Sequence, residues 1–555
     1  MSRTIRSIPA WLLAFGLAIA APPAAAQHER MAGGGAAPAG VPMFHNFGAF
    51  HHAVTTRSAE AQKMFDQGLG LYYAFNDDEA IRSFKDAARL DPDLAMAWWG
   101  VAMALGPNIN VPMSADAETQ ALEALAKAQA AAPKASAADR DYIATLAVRY
   151  AEPAGESRAQ RDSAYADAMR ALMKKYPKDD DAAVLCAESL MLLRPWDFYD
   201  AAGKAKPGVD EFVSILEGVL KRSPTSIAAI HFYIHAVEAS PHPERAEKVA
   251  DQLRKMAPEA GHLLHMPSHI YLRVGRYDDA IAVNDRAVAA DHKYLDSWKP
   301  ETMYSMMYHP HNIHMRWFAL CEVGRGADAA DAVRQLDEAV PWDMVRQAPP
   351  LEAFRSADYF TPVRFGNWAE ILAMPAPPEG MRIAAGFWHY ARGIALAATG
   401  KFQEAATEED SLAAIALEVP AETMFAVNPA RPVMALAVQM LKGEIAARSG
   451  KSEDAIALLT QAVSLHDALS YDEPPPWCGS ARQSLGAVLL QAGRAEEASR
   501  VYAEDLKRLP GNGWSLYGLA QAEKAMKNAP AAAAAEARFE KVWAKSDVKL
   551  TASRL

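Results

Sequence analysis

A chain of 555 residues with 57 Lys and Arg against 68 Asp and Glu carries a formal net charge of −11 and no dense basic run, so nucleic acid is not an expected partner. With 51% hydrophobic residues it can bury a large core, either as several domains or as one repeat array. Cys186, Cys321 and Cys478 are odd in number and far apart in the chain; they fit neither a disulfide framework nor a CxxC metal site and read as buried free thiols.

Residues 1–26 read as an export signal: Arg3 and Arg6, then the apolar run Trp11–Ala20, then small residues up to Ala26. That run is too short to cross a bilayer, which takes about 20 residues, and no later stretch is long and apolar enough, so no membrane span is expected. The mature chain is expected in the periplasm, or secreted. Residues 27–44, rich in Gly, Ala and Pro, read as a flexible linker.

From there the chain is rich in Ala, Leu, Glu and Arg in helical patterns, with few strand signals. Counting Ala61 as position 1, Gly68, Ala80, Phe84, Ala87 and Pro92 fall at positions 8, 20, 24, 27 and 32. Gly443, Ala455 and Ala462 repeat the pattern, as do Gly486, Ala498, Tyr502 and Pro510. This periodicity resembles the tetratricopeptide repeat, strongly at the two ends of 58–543 and more loosely between. The resemblance implies an all-α solenoid of antiparallel helix pairs with an extended concave surface, and a family mostly known for binding peptides and assembling partners. The proline-rich stretches Met374–Gly380 and Asp472–Trp477 read as loops. A soft boundary near residue 372 would divide an irregular solenoid over 45–372 from a more regular one over 373–548.

The histidines recur in this register. Gly261 is position 1 of a repeat by its distance from Ala280, which puts His262, His265 and His269 at positions 2, 5 and 9. The preceding repeat starts 34 residues earlier at Ile227, with His231 and His235 at positions 5 and 9 and Glu238 at position 12. The following one, at an offset of 49, has His311 and His314 at positions 2 and 5. In the resembling repeats these positions face the concave groove, so seven histidines and one carboxylate would share its inner wall. A single H-x3-H is common without function; its repetition in phase across three units points to a divalent transition metal, for which imidazoles with a carboxylate suit zinc, copper or iron.

His231, His265 and His314, at position 5, are expected to converge on one ion or a close pair. His235, His262, His269, His311 and Glu238 would complete or orient the coordination. Binding would weaken as pH falls through about 6.5, where protons compete. Pro267 disfavours helix at Met266, so between His265 and His269 the helix is expected to kink or to begin anew. Glu188, at position 9 of an earlier repeat, is a further ligand or base; if the metal is catalytic, Glu188 or Glu238 is the proton-transfer group. The insertion over 292–310 lies beside the wall as a lid or an edge loop. His389, Trp98 and Trp514 read as core, His242 as a turn residue, and His45, His51 and His52 as part of a capping segment. The other reading is a scaffold whose groove binds an extended peptide, a protein partner or a small molecule without metal.

Overall fold

The computed structural model describes residues 41–150, 157–200, 202–298 and 302–555. The export signal expected over 1–26 and most of the expected linker lie outside these. Val41–Phe44 are tied down: Gln67 accepts from the Phe44 amide at 2.8 Å and donates to the Pro42 carbonyl at 3.1 Å.

Helix follows helix from Ala59 to Trp543, and among the described residues the only strands are the two-residue pair Met424–Phe425 and Asn428–Pro429. Starts are set by local chemistry. Ser58, Ser226, Asp179, Ser480 and Asn512 each accept a hydrogen bond from an amide in the first turn of the helix they precede. Close packing within a pair comes from the glycines. A methyl on Gly68 would lie 2.7 Å from the Phe84 ring, one on Gly486 2.4 Å from Tyr502, and one on Gly443 2.6 Å from Leu459. In all three the partner lies sixteen residues later, so one register sets the packing at both ends of the array. The expected all-α solenoid of antiparallel helix pairs is what the chain forms.

The centre of the array is more deeply buried than a groove wall. Every residue of the helix Ile227–Val237 is buried, as an apolar helix on all sides must be. One hydrophobic core runs from Ala61 to Ala522 without a break at 372. The late repeats fold back on the middle ones: Trp514 donates its indole N–H to the Cys321 carbonyl at 2.9 Å, and Arg364 bonds Gln483 at 2.5 Å and Glu322 at 3.1 Å. Both proline-rich stretches are loops, as expected.

Trp514 is fully buried as expected, but Trp98 is only half-buried under the Lys127 ammonium, and its neighbour Trp99 takes the core position. The cysteines are free. Cys321 and Cys478, distant in sequence, are neighbours in space, and burial pushes the Cys321 thiol well up. No described helix is long and apolar enough to cross a membrane.

Candidate metal centre

Three consecutive first helices deliver the histidines. Ile227–Val237 brings His231 and His235, and Glu238 follows as its C-cap. The next is broken at Met266 into Gly261–His265 and Pro267–Arg273, so the interruption expected at Pro267 is present. Met266 keeps helical dihedrals, however, and the His265 and His269 imidazoles still meet, Nε2 to Nε2, at 2.6 Å. His309–Glu322 carries His311 and His314, with Pro310 in its first turn.

The histidines divide into two trios. His231, His235 and His262 form one; His265, His269 and His311 form the other. Within each, one ligand nitrogen per residue lies within 4.8 Å of the others. The position-5 residues do not meet at one point: His231 and His265 sit in different but adjoining trios, the arrangement that the close-pair alternative needs. His314 joins neither, stacking at 5.0 Å on Trp317 and edge-on at 5.5 Å to Phe354. Helices pack across one another, so the residues that meet come from different turns of adjacent helices rather than from one repeat position.

Four imidazoles are held in one tautomer. His231 donates Nδ1–H to the Tyr73 carbonyl at 2.7 Å, His235 to Glu238 Oε1 at 2.7 Å, His269 to Glu238 Oε2 at 2.5 Å and His265 to Asn284 Oδ1 at 2.8 Å. The Asn284 amide is itself oriented by donating Nδ2–H to the Ala280 carbonyl at 2.9 Å. With Nδ1 protonated, each Nε2 of a neutral ring carries a bare lone pair. Those of His265 and His269 face each other at 2.6 Å, and that of His235 has no partner at all. His231 Nε2 lies 3.1 Å from His262 Nε2, and His262 Nδ1 is also unpartnered. Bare lone pairs pressed together repel unless a proton or a cation lies between them.

The centre is dry. His231, His265 and Glu238 have no solvent exposure, and His235, His262 and His269 have 2% at most. Five of the seven histidines lie in the core rather than on an open wall, while His311 and His314 are half-buried. Burial pushes the imidazoles of His231, His235, His269, His311 and His314 down to about 3, and those of His262 and His265 well below the ordinary range, first because a charged ring loses its hydration. The rings are thus kept neutral, the form that ligates metal, and protons compete for them only well below the pH of about 6.5 inferred from free histidine.

Two features were not legible in the repeat register. Glu473, from the proline-rich loop of the second half, contacts His269 Nδ1 and accepts from the Tyr471 hydroxyl at 2.5 Å. With His235, Glu238 and His269 it forms a third cluster bridging the trios. Phe75 packs its ring 4.6 Å from His231, 5.3 Å from His262 and 5.9 Å from His235. Phe75 has a φ of +56°, and Trp196, edge-on to His235 at 5.6 Å, has a φ of +61°. Bulky residues rarely adopt such backbone, and strain of this kind concentrates at functional sites.

The described part of the insertion over 292–310 packs against His262 of the first trio. It contains a π-turn over Tyr304–Tyr308; Tyr304 accepts from the His262 amide at 3.0 Å, and Tyr308 lies edge-on to His262 at 4.9 Å. Glu188 lies in neither trio. It is buried, accepts from the Tyr72 hydroxyl at 2.5 Å, and is pushed up to about 7 by desolvation. His389 is half-buried rather than core, bonded at 2.6 Å to a Glu408 that it shares with Arg392. His51 and His52 pair with Asp66 and Asp181, both at 2.8 Å, away from the trios, and His242 is exposed in its turn.

No family model matches the chain, and no curated protein matches it. Among solved structures it is similar to the human IFIT1 dimer with m7Gppp-AAAA, at 12% identity over 89% of this chain and 92% of that one, with a TM-score of 0.34. It is also similar to yeast Tom70, at 13% identity over 85% and 90% with a TM-score of 0.25, and to the P58(IPK) TPR domain, at 12% over 85% and 99% with a TM-score of 0.22. The solenoid itself stands on this chain's own helix pairs.

Proposed function

We propose that this chain is an exported helical-repeat protein that holds transition-metal ions, zinc, copper or iron, in its two histidine trios. One observation carries the reading: His231, His235, His265 and His269 each have Nδ1–H taken by a fixed acceptor, so that their bare Nε2 lone pairs are turned into the buried interior, those of His265 and His269 facing each other at 2.6 Å. The same carboxylate, Glu238, holds one histidine of each trio, the arrangement by which proteins orient metal-bound imidazoles. Three imidazoles leave a further coordination position open, which distinguishes metal sites that do chemistry from closed structural ones. An ion there would act as a Lewis acid or lower the pKa of a bound water.

Elemental analysis of the untagged full chain, grown with zinc, copper and iron, tests the proposal. Two ions per chain are expected. His262→Ala and His311→Ala, each removing one member of one trio, should each lower that content toward one while leaving the helical circular dichroism unchanged. His314→Ala should leave it at two. A wild-type chain free of all three metals would overturn the reading and leave a partner-binding solenoid.

A further inference from the structure

A cleft of about 140 Å³ runs from the surface down to the second trio. Its floor is His269, Glu473, Met315 and Phe318; its walls include Arg273 and Leu469, and it opens beside the exposed Arg508 and Ser470. Three guanidinium groups line it, from Arg273, Arg482 and Arg508. Arg482 and Arg508 share one carboxylate, Asp467, at 2.6 Å and 3.2 Å. Asp505, also in the wall, accepts instead from Ser515, Asn512 and Gln483. Among the described residues Arg273 has no carboxylate within ion-pair distance, the Glu238 carboxylate acting on it only from beyond: it lies over the Tyr471 ring at 5.4 Å and donates one Nη2–H to the Ser240 carbonyl at 3.2 Å. Its Nε–H is buried with no hydrogen-bond partner. A buried guanidinium N–H left without an acceptor is costly, and a ligand carboxylate is its natural complement.

Arg273 and His269 stand one helical turn apart on Pro267–Arg273, about 6 Å along the axis. An interior cavity of roughly 150 Å³ accepts a benzene ring. We propose that this cleft binds a small organic carboxylate whose body is a single six-membered ring, with the carboxylate on Arg273 and the opposite edge of the ring at His269. The apolar sides of the ring would rest on Met315, Phe318 and Leu469. The proposal rests on the metal reading only in what the far end of the ligand meets; the carboxylate site stands on Arg273 and the cleft.

The probe is 4-hydroxybenzoate, whose two polar ends are separated by about that helical rise, with phenol as the ring lacking the carboxylate. Calorimetric titration of the metal-loaded full chain should show 4-hydroxybenzoate binding at least tenfold more tightly than phenol. Arg273→Gln should abolish that preference without changing the metal content. Leu469→Trp, which fills the cleft away from both trios, should abolish binding of both probes; it also serves should Arg273→Gln fail to fold. Absence of 4-hydroxybenzoate binding at millimolar concentration, equal binding of phenol, or binding undiminished in Leu469→Trp would overturn the inference. Metal content measured on the same samples keeps the two proposals apart: a metal-free chain that still selects 4-hydroxybenzoate defeats the metal reading alone, and a two-ion chain that ignores it defeats the cleft alone.

Discussion

At the scale of single residues, the groups that decide the chemistry are the acceptors behind the histidines. Asn284 has one role toward His265: its Oδ1 holds Nδ1–H, and its own Nδ2 anchors the amide so that it cannot flip. Asn284→Leu is close in size but offers no acceptor. It should weaken metal binding about 10- to 100-fold, as loss of such orienting partners does, with little change in helix content; competition with a chelator measures it. The six trio histidines and Glu238 were legible because they fall in register. Asn284, Glu473 and Phe75 were not, since each comes from a different element and has no positional relation to the histidines it touches.

At the scale of elements, the insertion is locked onto the centre by Gly261. The Asp291 carboxylate sits where a Cβ would be: a methyl on Gly261 would lie 1.8 Å from Asp291 Oδ1 and 2.9 Å from the Tyr304 hydroxyl. Asp291 accepts from Tyr304 at 2.7 Å and from Asn312 at 2.7 Å, tying three helical segments together. Gly261→Ala forces that carboxylate out, and as a small-to-large change in a filled core it should destabilise the chain by about 1–3 kcal/mol. Because His262 is the next residue, it should also lower metal occupancy. Thermal denaturation and elemental analysis of the same sample check both. Gly486→Ala, pressed on Tyr502 far from the centre, should cost similar stability and leave the metal in place.

At the scale of the whole molecule, burial of charge sets the response to pH. Glu188 is held at about 7 in the folded chain against an ordinary 4.5, and Glu322 is pushed up to about 7 by the same desolvation. A raised carboxyl is protonated in the folded state while the unfolded chain has already released its proton. Its contribution is therefore fully present below about 4.5 and is lost as pH rises toward 7. Glu188→Gln removes that dependence. The stability of wild type relative to this variant should fall by about 3 kcal/mol between pH 4 and pH 8, read from urea denaturation at each pH. A difference that stays flat would mean that Glu188 is hydrated in solution.

By itself the sequence determined the solenoid and the phase of the histidines. Helix periodicity and the sixteen-residue spacing from a glycine to the large side chain it meets are local, and local packing follows from them. What it could not decide is which histidines meet. Register says that His231, His265 and His314 are equivalent, but contact depends on how adjacent helices cross, which puts His231 and His265 in different trios and leaves His314 between Trp317 of its own helix and Phe354. Nor could it show that the wall is interior. The late repeats fold back and close over it, Trp514 onto Cys321 and Glu473 onto His269, across some two hundred residues of chain. Only tertiary packing removes the water, and its removal keeps the rings neutral and leaves their lone pairs facing one another.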